Sequence, residues 1–221
     1  MSDLAFDALL CDLDNVIRFY DLDEVTRQER AAGITPGTTM EIAFAPERDL
    51  PLLLGRISRD QWAASIAEAL TARIPVRQAA DLATAFAHAP SHVDQHVVGL
   101  LRQVRRSIPV VLVTNATVWL DDDLARLGLT DLADHVVNSS RVRIAKPDAE
   151  IYKIAAERAG VPAHRCAFVD DSRTNIDAAR RAGMTAVLYR DIRDLRRLVA
   201  PVVEAAAKPA ARATTWDGAV P

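Results

Sequence analysis

Four short polar stretches hold the residues of this chain best suited to chemistry: Asp12-Leu13-Asp14-Asn15, Thr114-Asn115, Lys146-Pro147 and Asp170-Asp171. Carboxylates gathered in one place raise one another's pKa, so a cluster of Asp12, Asp14, Asp170 and Asp171 calls for a compensating cation. All-oxygen donors suit Mg²⁺, which binds through one or two carboxylates plus a substrate phosphate. A hydroxyl (Thr114), an amide (Asn115) and an ammonium (Lys146) beside such an ion can hold phosphate oxygens. The residue types therefore point to metal-assisted phosphoryl chemistry. Taken singly, each stretch is equally a turn or a helix cap; their conjunction is what carries the inference. Lys146 adds weight. Of 27 basic residues only Lys146, Lys153 and Lys208 are lysines, so a compact ammonium stands where an arginine would otherwise be the habit.

The conjunction depends on the elements that position these residues. Five short runs rich in β-branched residues read as buried strands: Ala8–Leu13, Val110–Thr114, His135–Asn138, Cys166–Val169 and Thr185–Tyr189. They are continuously apolar rather than alternating, as in a parallel sheet covered on both faces. Helical patterns separate them: Trp119–Leu127 before Gly128, Ala149–Ala159 before Gly160 and Thr174–Ala182 before Gly183. Strand and helix in alternation predict an α/β, doubly wound parallel sheet. Asp12, Thr114 and Asp170 then lie at carboxyl ends of strands and Lys146 opens a helix after the third, so all converge on one crevice. Residues 21–88 contain no convincing strand. Asp21–Ala32, Ser58–Arg73 and Val76–His88 read as helices, which predicts a small α-helical cap inserted after the first strand. Ser91 with Asp94 reads as a helix start returning to the core. The expected organisation is an α/β core of residues 1–20 and 89–200, a cap of residues 21–88 and a loosely ordered tail of residues 201–221.

Composition excludes several functions. The 221 residues carry 27 basic and 30 acidic side chains, a net charge of −3, without the basic excess that binding to nucleic acid needs. No apolar run approaches the roughly 20 residues that cross a bilayer, and the acidic N-terminal stretch is unlike a signal peptide. Cys11 and Cys166 sit in apolar runs and read as buried free thiols, which fits a cytoplasmic protein.

The four stretches, as LLCDLDNVI, VVLVTNAT, AKPDAEIY and FVDDSRTNIDAARRAG, resemble the motifs of the haloacid dehalogenase superfamily, in its phosphatase branch with a small helical cap. The fourth is the most specific. The resemblance spans roughly residues 6–190, and LLLGRISRDQW resembles a segment common in such caps. Val16 stands where many relatives have Thr, a minor departure. The resemblance implies a phosphomonoester hydrolase acting through an aspartyl-phosphate, with Mg²⁺ as cofactor. Asp12 matches the nucleophile and Asp14 the general acid/base. Asp12, the Asp14 backbone carbonyl and Asp171 match the metal ligands, with Asp170 acting directly or through water. Thr114 and Lys146 match the phosphate-binding residues, with Asn115 lining the pocket. Dehalogenases of the family have no Asp at position 14, which disfavours halide release. Phosphonate-cleaving members use a cap lysine, which residues 21–88 lack. A phosphomutase and a non-catalytic phosphometabolite-binding protein remain alternatives.

The expected substrate is a small phosphorylated metabolite, of which a sugar phosphate is one form. Arg18, Phe19 and Tyr20 follow the first motif and are candidates for substrate specificity, weighed against a packed hinge. Arg48 and Arg56 read as solvated arginines before substrate contacts. His88, His92 and His96 are spaced by four, but the Pro90-Ser91 break prevents one shared face, so a metal site is not expected there. Trp62 and Trp119 read as packing. Oligomeric state is not legible.

Overall fold

A computed structural model describes residues 4–207. Strand β1 (Ala8–Cys11) is followed by a short strand β2 (Arg18–Tyr20), then by helices α1 (Asp23–Ala31), α2 (Thr38–Ala43), α3 (Pro46–Leu53), α4 (Arg59–Leu70) and α5 (Val76–Ala87), and by a return strand β3 (Ser91–Val93). The chain then alternates through α6 (Gln95–Arg105), β4 (Val110–Thr114), α7 (Leu120–Arg126), β5 (His135–Asn138), the single turn α8 (Ser139–Val142), α9 (Ala149–Ala159), β6 (Cys166–Asp170), α10 (Arg173–Arg181), β7 (Thr185–Leu188) and α11 (Ile192–Ala207).

The expected doubly wound sheet is present. Its order is β5-β4-β1-β6-β7 and every pairing is parallel. The period of two sends alternate side chains to opposite faces. Leu9 and Cys11 join Leu112, Ala167 and Val169 in a core with α6, α7 and α11. Ala8 and Leu10 join Val111, Val113 and Phe168 in a second core with α9 and α10. Because β1 has β4 on one side and β6 on the other, the connections diverge there and leave a crevice at the carboxyl ends of these three strands.

The helices between β2 and β3 bury a third apolar cluster. Trp62, Ile66 and Leu70 recur every four residues on α4 and meet Ala79, Leu82, Ala83 and Phe86 of α5. A capping box at Ser58 and Gln61 starts α4. This unit closes down on α8 at Gly55, where an added Cβ would stand 2.8 Å from the Ser140 carbonyl oxygen. Ser139 Oγ nearby donates to the Leu53 carbonyl at 2.7 Å.

Several elements differ from the sequence reading. Ser91 does not begin a helix: it pairs with Tyr20 in the antiparallel β2–β3 ribbon through which the chain leaves and re-enters the core. Strands of three residues show too little alternation to be read from a pattern. Asp94 is the true cap, accepting from the backbone N–H groups of His96 and Val97. The helix after the third strand starts at Ala149 with Asp148 as its cap, so Lys146 and Pro147 stay in the loop and are joined by a cis peptide. Helix α11 runs through Pro201 to Ala207, because Leu195, Val199 and Val202 bury against the sheet; it occupies the first seven residues of the expected tail. The rest of that stretch lies outside the described residues.

Candidate active site

The crevice gathers three of the four polar stretches around one ammonium. Asp12 follows β1, and its backbone N–H donates to the Val169 carbonyl of β6 at 2.9 Å, so the sheet itself places it. Lys146 Nζ lies 2.8 Å from Asp12 Oδ1 and 2.7 Å from Asp170 Oδ2, and all three side chains are buried. Carboxylate oxygens of Asp12, Asp170 and Asp171 lie within 4.8 Å of one another. Asp170, buried at the end of β6, also accepts from Ser172 N at 2.8 Å and from Asn175 Nδ2 at 3.0 and 3.1 Å. Asp171 accepts from Asn15 Nδ2 at 3.0 Å, which ties the fourth stretch to the first. Asn15 stands in the left-handed region, φ 60°, where the chain turns back after Asp14.

One ammonium among three carboxylates leaves an excess of negative charge. Burial pushes the Asp12 carboxyl up to about 8 and the charge of Asp170 adds to this, while Lys146 opposes both. Burial likewise raises Asp171. Lys146 is held above its ordinary range: burial works against its charge, and Asp12 and Asp170 outweigh it. Such a group of acids favours a divalent cation on electrostatic grounds. The remaining donor set also fits a phosphate. Thr114 Oγ1 at the end of β4 is buried with no hydrogen-bond partner among the described residues, and a buried hydroxyl is costly unless it meets one.

Asn115 sits differently from the expectation of a phosphate-binding amide. Its Oδ1 accepts from Lys146 N at 2.7 Å and its Nδ2 donates to the Lys146 carbonyl at 2.9 Å. The amide clamps the lysine backbone while its side chain borders the adjoining cleft.

Asp14 does not join the acid cluster, because Arg18 holds it. The guanidinium grips Asp14 bidentately, Nε to Oδ1 at 2.6 Å and Nη2 to Oδ2 at 3.0 Å, and donates through Nη1 to Asp123 Oδ2 at 3.1 Å. Burial opposes the Arg18 charge and Asp14 more than restores it, so its pKa is raised. Arg18 is thus a buried partner of Asp14 that also borders the cleft, and its guanidinium lies 5.0 Å from the Tyr20 ring centre. Tyr20 is half exposed and lines the cleft. Phe19 does not. Strand alternation sends it to the opposite face of β2, where it stacks on His92 at 5.9 Å between ring centres.

The three histidines do not meet as a metal site: the acid cluster is the metal-ligating group found among the described residues. His88 bonds its own helix at the Thr84 carbonyl. Arg48 pairs with Glu47 and Arg56 is exposed; neither borders the cleft. Sequence reasoning missed Asp123, Asn175 and Arg59. Asp123 sits in an acidic run that reads as a solvated helix face, and only the tertiary fold buries it against Arg18, while Arg126 pairs with it locally one turn on. Asn175 lies one helical turn beyond Asp171, a spacing that offered a signal. Arg59 lies over the Trp119 ring at 4.3 Å.

Comparison with known proteins agrees with this architecture. A curated Mycobacterium tuberculosis protein named as a phosphatase is 28% identical over 202 residues, 84% of this chain and 88% of its own length. A solved structure of a haloacid dehalogenase family enzyme of Bacteroides thetaiotaomicron, complexed with magnesium and inorganic phosphate, superposes with a TM-score of 0.64 at 20% identity, covering 84% of this chain and 94% of that one. An L-2-haloacid dehalogenase structure, RSc1362, gives the same TM-score of 0.64 and 20% identity, over 84% of this chain and 87% of its own. The family profile described as haloacid dehalogenase-like hydrolase matches residues 6–183, and the chain belongs to that family.

Proposed function

We propose that the protein is a Mg²⁺-dependent phosphomonoesterase that works through an aspartyl-phosphate on Asp12. The observation that carries this reading is the convergence of Asp12, Asp170 and Asp171 within 4.8 Å around the Lys146 ammonium, with the unpartnered Thr114 hydroxyl at the neighbouring strand end. Asp12, Asp171 and the Asp14 carbonyl would hold the ion, with Asp170 acting directly or through water; bound there, the ion neutralises the carboxylates and the phosphate charge. Helices α1–α5 serve as the cap over the crevice. Free, buried Cys11 and Cys166 support a reducing, cytoplasmic setting.

In this mechanism an Asp12 carboxylate oxygen attacks phosphorus and the bond from phosphorus to the alcohol oxygen breaks. Asp14 gives its proton to the departing alkoxide. Thr114 and Lys146 hold the non-bridging oxygens as charge shifts onto them. Water then attacks phosphorus, Asp14 takes up the water proton, and Asp12 leaves with inorganic phosphate as product. Arg18 donates to both Asp14 oxygens, so one of these contacts must open for Asp14 to carry the proton, and the other keeps the carboxyl oriented.

Asp14 is the feature that favours phosphate over halide chemistry. The test is hydrolysis of p-nitrophenyl phosphate with and without Mg²⁺, against Asp12→Asn. Turnover that needs the metal and vanishes in the variant is expected. Activity retained by Asp12→Asn, or chloride release from 2-chloropropionate in place of phosphate release, would overturn the reading.

A further inference from the structure

A cleft of about 660 Å³ runs from Asp14 and Asn115 into the helical unit. Met40, Phe44, Trp62 and Phe86 give it an apolar, aromatic wall, and Arg59, His88 and Ser91 also line it. The Phe44 ring meets Phe86 edge-on at 5.9 Å, and Phe86 lies 5.7 Å from Trp62. Phe44 and Met40 are 55% and 42% exposed. Single exposed apolar residues are ordinary, but two set beside an aromatic wall inside a cleft that opens on the reacting carboxylates have a ready use in covering a ligand.

A carboxylate stands beside that wall. Asp49 lies in the first turn of α3, its N–H bonded to the Ala45 carbonyl at 3.0 Å. Phe44 and Asp49 therefore occupy the two positions that pack together across a helix start. Among the described residues the Asp49 side chain has no ion pair or hydrogen bond, and burial alone raises its pKa, to about 6. Arg18 is paired with Asp14 and Asp123 and Arg126 with Asp123, while Arg59 lies over the Trp119 ring at 4.3 Å.

We propose that the alcohol half of the substrate is an apolar, ring-bearing or alkyl group that ends in an ammonium, seated on Phe44 and Met40 with its positive charge against Asp49. This rests on the phosphomonoesterase reading and narrows it. A sugar presents hydroxyls on every side and needs matching donors and acceptors, whereas the side formed by Met40, Phe44, Trp62 and Phe86 offers carbon. A second anionic group seated on Phe44 and Met40 would face the Asp49 carboxylate. An ammonium meets both a carboxylate and aromatic faces, and each interaction strengthens away from water.

The experiment compares kcat/KM for benzyl phosphate, its 4-aminomethyl and 4-carboxy derivatives and glucose 6-phosphate, with p-nitrophenyl phosphate as the reference for turnover. The para group lies far from the reacting bond, so it reports on the wall rather than on leaving-group chemistry. The amine is expected at least about tenfold above benzyl phosphate and the carboxylate at least about tenfold below it, with glucose 6-phosphate below benzyl phosphate. In Asp49→Asn the amine-to-carboxylate ratio should fall close to one. A flat series, glucose 6-phosphate at the top, or an unchanged ratio in Asp49→Asn overturns the inference while p-nitrophenyl phosphate turnover keeps the phosphatase reading intact. If p-nitrophenyl phosphate is not hydrolysed, that reading fails by itself. Calorimetric binding of the non-hydrolysable phosphonate analogues then decides the wall's preference by the same ranking.

Discussion

Replacing Arg18 by alanine tests whether the Asp14 carboxylate must be held for the reaction to run. The side chain of Arg18 is 4% exposed, that of Asp14 29% and that of Asp123 10%. Removing one member of a fully buried ion pair costs about 3–5 kcal/mol, because the other charge is left desolvated. Here Asp14 keeps partial access to water and Asp123 keeps Arg126, which lowers the expected cost to about 2–3 kcal/mol. For a chain of this size each kcal/mol moves the midpoint by about 2–4 °C, so Tm should fall by about 4–12 °C. The kinetic effect is separate. A carboxylate freed from a bidentate grip loses the orientation that two proton transfers require, and kcat should fall on the order of 10²-fold. Arg18→Lys retains the charge but not the planar fork, so it should recover Tm more fully than kcat. Thermal melts and p-nitrophenyl phosphate turnover, both read well below the variant's midpoint, separate the two effects. An Arg18→Ala enzyme with unchanged kcat would refute the positioning role, and one with unchanged Tm would refute the burial of the pair.

Thr114→Val removes a buried hydroxyl that has no partner among the described residues, so Tm should stay level or rise. Turnover should drop on the order of 10²-fold, as for the loss of one donor to a developing oxyanion; normal activity would deny Thr114 a part in phosphate binding. Metal-free protein should lose stability as pH rises from 5 to 8. Asp12 at about 8 and Asp49 at about 6 sit above their ordinary 3.8, so the folded state holds protons that the unfolded state has released. This contribution is complete below the unfolded pKa and is lost as pH climbs through the folded one. Mg²⁺ should therefore raise Tm more at pH 8 than at pH 6, and a larger shift at pH 6 would contradict the ligand set. Gly55→Ala places a Cβ 2.8 Å from the Ser140 carbonyl oxygen at φ +66° and should cost at least about 1 kcal/mol, read by urea denaturation; an unaffected variant would mean that this close approach yields freely.

The alternation of buried β-branched runs with glycine-ended helices was enough to read the parallel sheet from the sequence, since both patterns record which faces meet water. The site followed from the sheet. Once Asp12, Thr114 and Asp170 are known to end parallel strands, geometry brings them to one edge. What the sequence left open were partnerships made by residues far apart in the chain. Nothing in the order of residues says that Arg18 reaches across 105 positions to Asp123, that Asn115 clamps the backbone of Lys146, or that Asp49 lines the same cleft as Phe44 with no partner among the described residues. Charged side chains on helix faces look alike in a sequence whether water or another element covers them. The β2–β3 ribbon escaped for a related reason: its three-residue strands are stabilised by each other and by the re-entry of the chain, not by a pattern of their own. Local propensity and periodicity determine the elements and the ends at which polar residues stand; only the packed structure decides which charges are buried, which are paired and which remain to meet a substrate.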